Sequence, residues 1–246
     1  MILSAMWSPL VLVHIPKTGG TSVRTAVEQA LPIERILRVY RLHTTRSQAL
    51  VALQNYAAGR DPNFIPPDFI VGHFGSDFAQ LAGIPQARLF TVLRDPYKRS
   101  VSLWRHEVRN FPNSLFGVQA RQLSFVEFFE ARLSPIYENS QARMIVGSIE
   151  QEILWKLTGD DNNLLERAKA KMEADFSFIG LTEDLTATFA WVGEQLGLTL
   201  QTVRTNVDDG PRDDLLTDPA NRKVIERFFG VDIALYQWAS SGRRAL

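Results

Sequence analysis

The stretch Leu10–Ser22, LVLVHIPKTGGTS, decides how the rest of the chain is read. Leu10–Ile15 is a near-continuous apolar run, as expected for a strand buried on both faces of a parallel sheet. Gly19 and Gly20 then break the chain, and Thr21 or Ser22 is placed to cap a helix reaching about Leu31. A loop between such a strand and such a helix is where a parallel α/β sheet presents its ligands. The two glycines let the backbone approach an anion, and the amides at the helix start point toward it. Lys17 adds a mobile point charge, while Thr18, Thr21 and Ser22 add hydroxyl donors. The plain alternative is a Gly-Gly turn beside a solvated lysine.

The loop does not have the order of an ATP-binding Walker A segment. That pattern puts Lys directly before Ser or Thr and after a second glycine. Here Lys17 precedes both glycines, and no apolar strand ending in Asp stands out to hold Mg²⁺ behind it. A kinase that binds ATP through an aberrant loop is the first alternative reading. A module that binds a nucleotide without turnover is the second.

Working outward, Phe69–Phe74 (FIVGHF), Arg88–Leu93 (RLFTVL) and Phe176–Leu181 (FSFIGL) read as further buried strands. Helices are expected around Ser76–Leu81, Pro96–Val108, Asp184–Leu196 and Pro219–Trp238, and through most of Leu123–Lys171. Leu200–Asp218, polar and turned by Gly210–Pro211, reads as a surface loop. This alternation predicts an α/β fold, a central parallel sheet flanked by helices with a P-loop-like edge, in one domain spanning residues 1–246.

Composition narrows the chemistry. The 246 residues are 45% hydrophobic and 22% charged, with 27 Lys plus Arg against 27 Asp plus Glu. A zero net charge supplies no global field for nucleic acid or an anionic membrane, so any anion must be held by a local cluster. No stretch is apolar for long enough to span a bilayer, and Met1–Gly20 has no cationic start. The chain has no cysteine. That excludes disulfides, thiolate metal sites and a Cys nucleophile, and it fits the cytoplasm, though an oxidising compartment would suit it too. The sequence leaves the oligomeric state open.

The second chemical signal is Arg94–Ser102, RDPYKRSVS, at the end of the RLFTVL run. Pro96 suits a first helical position and Asp95 can cap it. Arg94 then sits at the strand end and Ser102 about two turns along the helix. Both can meet one phosphate near the edge of the first loop. Alone, the pair also fits a surface arginine and a neutral helical serine.

Together, PKTGGTS at Pro16–Ser22 and LRDPYKRSVS at Leu93–Ser102 resemble the two nucleotide motifs of sulfotransferases. HIPKTGGTS is similar to carbohydrate sulfotransferases of the uronosyl 2-O type and their bacterial relatives. NSQARM at Asn139–Met144 and FIGLTEDL at Phe178–Leu185 resemble later blocks of that family. The resemblance implies that Lys17, Thr18, Gly19, Gly20, Thr21 and Ser22 bind the 5′-phosphosulfate of PAPS (3′-phosphoadenosine 5′-phosphosulfate). It implies further that Arg94 and Ser102 bind the 3′-phosphate, with no metal. His73, in VGHF at Val71–Phe74, resembles the catalytic histidine segment of the 2-O enzymes, and a neutral imidazole can take a proton from an acceptor hydroxyl. A histidine bonded into the sheet edge is the competing reading of His73, and Glu183 is a weaker candidate base.

His14 reads as structural, and His43 and His106 as solvated helix residues. Arg99, Arg105, Arg109 and Arg121 read as a solvated helix face or a basic groove. Trp104, Phe111, Phe116, Phe125, Phe128 and Phe129 read as a core stripe or an apolar acceptor wall. The resemblance favours a carbohydrate acceptor, with small molecules also open.

Overall fold

The computed structural model describes residues 7–40, 43–110, 113–133, 137–147, 163–202 and 214–242. Five parallel strands are formed by β1 (Leu10–Val13), β2 (Ile36–Val39), β3 (Phe69–Gly72), β4 (Arg88–Leu93) and β5 (Phe176–Leu181). They lie in the order β2-β3-β1-β4-β5. Among the described residues the helices, in chain order, are α1 (Gly20–Ala30), α2 (Arg46–Ala57), α3 (Phe78–Leu81), α4 (Pro96–Asn110), α5 (Leu115–Gln122), α6 (Phe125–Glu130), α7 (Ser140–Val146), α8 (Leu164–Asp175), α9 (Leu185–Leu196), α10 (Asp214–Thr217) and α11 (Pro219–Gly242). The fold is therefore an α/β one with a central parallel sheet covered by helices.

Alternation within the strands sorts the helices onto two faces. Leu10, Leu12, Phe69, Val71, Phe90 and Val92 pack with Val23, Ala26 and Val27 of α1 and Phe189 and Val192 of α9. Val11, Val13, Ile70 and Leu89 face the other way, onto Ala49 and Leu53 of α2, Ala142 and Ile145 of α7, and Ala168 and Met172 of α8. Both faces are covered, so the strand sequences read as apolar runs. A third cluster lies outside the sheet layers, where α4, α5 and α6 pack against Val224, Ile225, Phe228 and Phe229 of α11. Phe125, Phe128 and Phe129 are buried in it, while Trp104 and Phe116 pack against it half-buried. Phe111 lies outside the described residues.

Several boundaries differ from the sequence expectation. β2 and α2, absent from the sequence expectation, carry weak local patterns, although Thr45 and Gln48 close a capping box at the start of α2. The helix expected at Ser76–Leu81 is only the single turn Phe78–Leu81. The loop expected over Leu200–Asp218 contains the short helix α10, and its residues 203–213 lie outside the described residues. The last helix runs four residues beyond Trp238 and is bent at Phe229 (φ −123°, ψ 21°). At that bend Asn139 enters, its own φ at 44°, in the left-handed region asparagine tolerates. Its amide donates to Phe228 O, and its Oδ1 accepts from the amides of Val231 and Asp232.

β1 is central, with β3 and β4 on either side. The loops leaving these three strands share one carboxyl edge, at the point where the strand order reverses. They carry Lys17, His73 and Arg94.

Candidate functional site

The loop after β1 is shaped by its own residues. The Thr18 hydroxyl donates to Ile15 O at 2.9 Å, closing a tight turn. Lys17 (φ 69°) and Gly19 (φ 92°) are both left-handed, costly for the lysine and routine for the glycine. Gly19, not Thr21 or Ser22, is the N-cap of α1, so no side-chain oxygen occupies the first-turn amides. A Cβ on Gly20 would lie 2.2 Å from His14 Cδ2, so the imidazole fits beneath α1 only because this residue is glycine.

Three consecutive carbonyls of the loop are taken by distant donors. Arg99 Nε donates to Pro16 O at 3.0 Å, and Arg94 Nη1 to Lys17 O at 3.0 Å. Thr182 Oγ1 lies 2.6 Å from Thr18 O and 3.0 Å from Leu93 O. All these peptides are trans, so each amide points opposite to the carbonyl of its own peptide. The N–H groups of Lys17, Thr18 and Gly19 are thereby turned away from the three donors. An alternation of left-handed residues with outward amides is the geometry of an anion-binding nest.

The donors are held in turn. The backbone of Arg94 is fixed by Gln141, whose Oε1 accepts from Arg94 N and whose Nε2 donates to Arg94 O, both at 3.0 Å. Asp95 caps α4 as expected, accepting from Lys98 N at 2.9 Å. Arg99, expected on a solvated face, is fully buried. Besides Pro16 O it donates to Ser140 Oγ at 2.7 Å and faces Asp232 at 3.8 Å. Asp232 accepts from the amides of Gln141 and Ala142 at the start of α7. Burial brings the guanidinium of Arg99 down to about 10 against the pull of Asp232. Arg99 shares the buried face of α4 with Ser100 and Leu103, whereas Arg109 is exposed on another face; Asp232, on α11, faces the buried guanidinium.

His73 stands one residue beyond β3. Its Nδ1 lies 2.7 Å from His14 O, and a carbonyl only accepts, so the proton is on Nδ1 and the neutral ring keeps its lone pair on Nε2. The ring is open to solvent, yet surrounding protein disfavours its cation and lowers its pKa, with the Arg24 charge adding to this and the bond to His14 O opposing it. His14 is buried, and its Nδ1 is 2.6 Å from the Tyr40 hydroxyl. Burial, then the charges of His73, Arg24 and Lys17, hold His14 well below 6.5. Tyr40 is itself raised by burial and stays a phenol, so both partners in this contact are neutral. The rings of His14 and Tyr40 lie 4.7 and 4.9 Å from that of His73.

His106 corrects the sequence reading more sharply. It is half-buried on α4, with Nδ1 3.3 Å from Lys17 Nζ. Burial first, then the charges of Lys17 and His73, depress it to about 4. His43 is exposed as expected but precedes α2 instead of lying in a helix. Ser102 is half-buried on α4. Glu183 is exposed in the single turn Thr182–Asp184 after β5, next to the loop-binding Thr182. Lys17, Arg94, His73 and His106 thus share one region, and the structure adds Arg99, Gln141 and Thr182 as its supports. Among the described residues no three His, Asp or Glu side chains are grouped to hold a metal ion. Nor is any described helix long and apolar enough to cross a membrane.

No protein-family model matches the chain, and no curated protein matches it. Among solved structures it is similar to a sulfotransferase from Alicyclobacillus acidocaldarius, with a TM-score of 0.49 and 15% identity over 95% of this chain and 96% of that one. It is also similar to mouse sulfotransferase SULT7A1, solved in complex with PAP, with a TM-score of 0.47 and 14% identity over 96% of this chain and 89% of that one.

Proposed function

We propose that this chain is a sulfotransferase that moves a sulfuryl group from PAPS to a hydroxyl of a carbohydrate or small-molecule acceptor. The observation that carries the reading is the loop Pro16–Gly19, whose three carbonyls are held from behind while its amides face outward beside Lys17. Such a surface suits a phosphosulfate, and a metal is not needed to explain it. Lys17, Thr18, Gly19, Gly20, Thr21 and Ser22 bind the 5′-phosphosulfate in this reading, and Arg94 and Ser102 bind the 3′-phosphate. A guanidinium carries five N–H donors, so Arg94 can tie Lys17 O to a phosphate.

His73 acts as the base. Its Nδ1–H is anchored on His14 O, which aims a basic Nε2 at the acceptor. As the acceptor oxygen bonds to sulfur, Nε2 takes the hydroxyl proton. The bond from sulfur to the bridging oxygen breaks, and that oxygen leaves on the 5′-phosphate of PAP. Lys17 and the loop amides stabilise the charge gathering there. The reading treats residues 1–246 as one catalytic domain working in the cytoplasm.

The test is thermal melting with PAP in EDTA. PAP should raise the melting temperature without added metal, because a ligand that binds only the folded state stabilises it by mass action. A shift with ATP and Mg²⁺ but none at millimolar PAP would favour a kinase and overturn the reading.

A further inference from the structure

Lys17 is held at both ends by α4 and the residue that leads into it. Its carbonyl accepts from Arg94, and its ammonium meets His106 three turns further along. A lysine side chain has four flexible carbons and is strongly hydrated, so left alone it samples many directions. Here the backbone is fixed in the left-handed region (φ 69°) and Nζ lies 3.3 Å from Nδ1 of a half-buried imidazole.

We infer that His106 is a positioning residue that holds the Lys17 ammonium over the nucleotide loop before the donor arrives. The inference rests on the sulfotransferase reading for its catalytic consequence, though the contact itself does not. His106 stays neutral through the physiological range, since burial and the neighbouring Lys17 charge hold it at about 4. A neutral Nδ1 can accept from an ammonium, and an imidazolium cannot. Lys17 has three N–H donors, so one can remain on His106 while others meet the phosphosulfate. The gain is preorganisation: the charge that must meet the leaving oxygen is already near its place.

The experiment compares His106→Ala with His106→Asn, whose Oδ1 offers an acceptor close to the position of Nδ1. With PAPS and a competent acceptor, His106→Ala should lower kcat by about tenfold to a hundredfold, as expected for a misplaced catalytic group. It should leave PAP affinity near wild type, and His106→Asn should recover most of kcat. A purely structural role would make the two variants alike and lower their melting temperatures instead. The second readout needs no donor: acylation of Lys17 by acetic anhydride, followed by mass spectrometry. Released from His106, Nζ should acylate faster in His106→Ala and near the wild-type rate in His106→Asn. Equal Lys17 acylation in wild type and His106→Ala overturns the inference whatever the enzyme's reaction. If the wild type neither binds PAP nor turns over PAPS, the sulfotransferase reading fails, and acylation alone decides the role of His106.

Discussion

Two polar clusters flank the loop Pro16–Gly19, and they treat charge in opposite ways. On the open side, Lys17, His73, Arg94 and His106 sit at the carboxyl edge, each half-buried or exposed. On the closed side, Arg99, Asn139, Ser140, Gln141 and Asp232 are all buried. The closed cluster spends its hydrogen bonds on backbone: Pro16 O, Arg94 N and O, the amides at the start of α7 and the bend of α11. An uncompensated buried charge is very costly, so removing one member should damage the fold. Groups on the open side retain contact with solvent, and their removal should damage activity while the fold survives. Position relative to the loop, more than residue type, separates the two arginines Arg94 and Arg99.

The largest expected effect lies on the open side. His73→Ala should cost about 10²–10⁴ in turnover, the usual worth of a general base, with PAP binding and melting temperature close to wild type. Wild-type turnover should also fall toward acid with a midpoint below 6.5, because the surrounding protein disfavours the charged ring and lowers its pKa. Turnover within a few-fold of wild type would remove His73 from the mechanism and make Glu183 the next base to test. The counterpart on the closed side is Arg99→Met, which leaves Asp232 buried without its partner and Pro16 O without its donor. It should lose about 3–5 kcal/mol of stability, read from denaturant midpoints. A loss under about 1 kcal/mol, the scale of a surface pair, would dissolve the distinction between the clusters.

Arg94 sharpens the comparison because it touches both the loop and, in the proposed reading, the 3′-phosphate. Arg94→Ala should weaken PAP binding by about 1.5–3 kcal/mol, roughly tenfold to a hundredfold in Kd, as measured by titration calorimetry. An unchanged Kd would confine Arg94 to supporting the loop.

The smallest effect is on stability against pH. The folded-state pKa values of His14, His73 and His106 are all depressed below 6.5, His106 to about 4. Above about pH 6.5 both folded and unfolded imidazoles are neutral, and the stability is fully present. As pH falls below that value the unfolded chain binds protons that the folded sites refuse, so stability declines. Glu107 and Asp232, raised by burial, act in the opposite sense nearer the carboxylate range. Denaturant midpoints should therefore drop between about pH 7.5 and 5.5, and less steeply in His14→Asn. A rise over that window would contradict the neutral imidazoles on which both the base and the lysine contact depend.

Four of the five strands and the loop with its glycines were legible in the chain. Each is written in neighbouring residues: an apolar run for a strand buried on both faces, two glycines for a tight approach, Asp-Pro for a helix start. β2 was not, because a four-residue edge strand, ILRV, with two half-buried positions carries too short a pattern. The surroundings of the loop lay beyond such reading altogether. Arg94 and Arg99 reach it across 77 and 83 residues, His106 across 89 and Thr182 across 164. The sequence by itself determined where the buried strands and the glycine-broken loop fall, since those depend on local pattern and backbone freedom. Only the tertiary structure decided that Arg99 is buried, that His106 meets Lys17, and that the loop carbonyls are turned inward. Those outcomes depend on partners brought together by packing, and no local pattern encodes a partner.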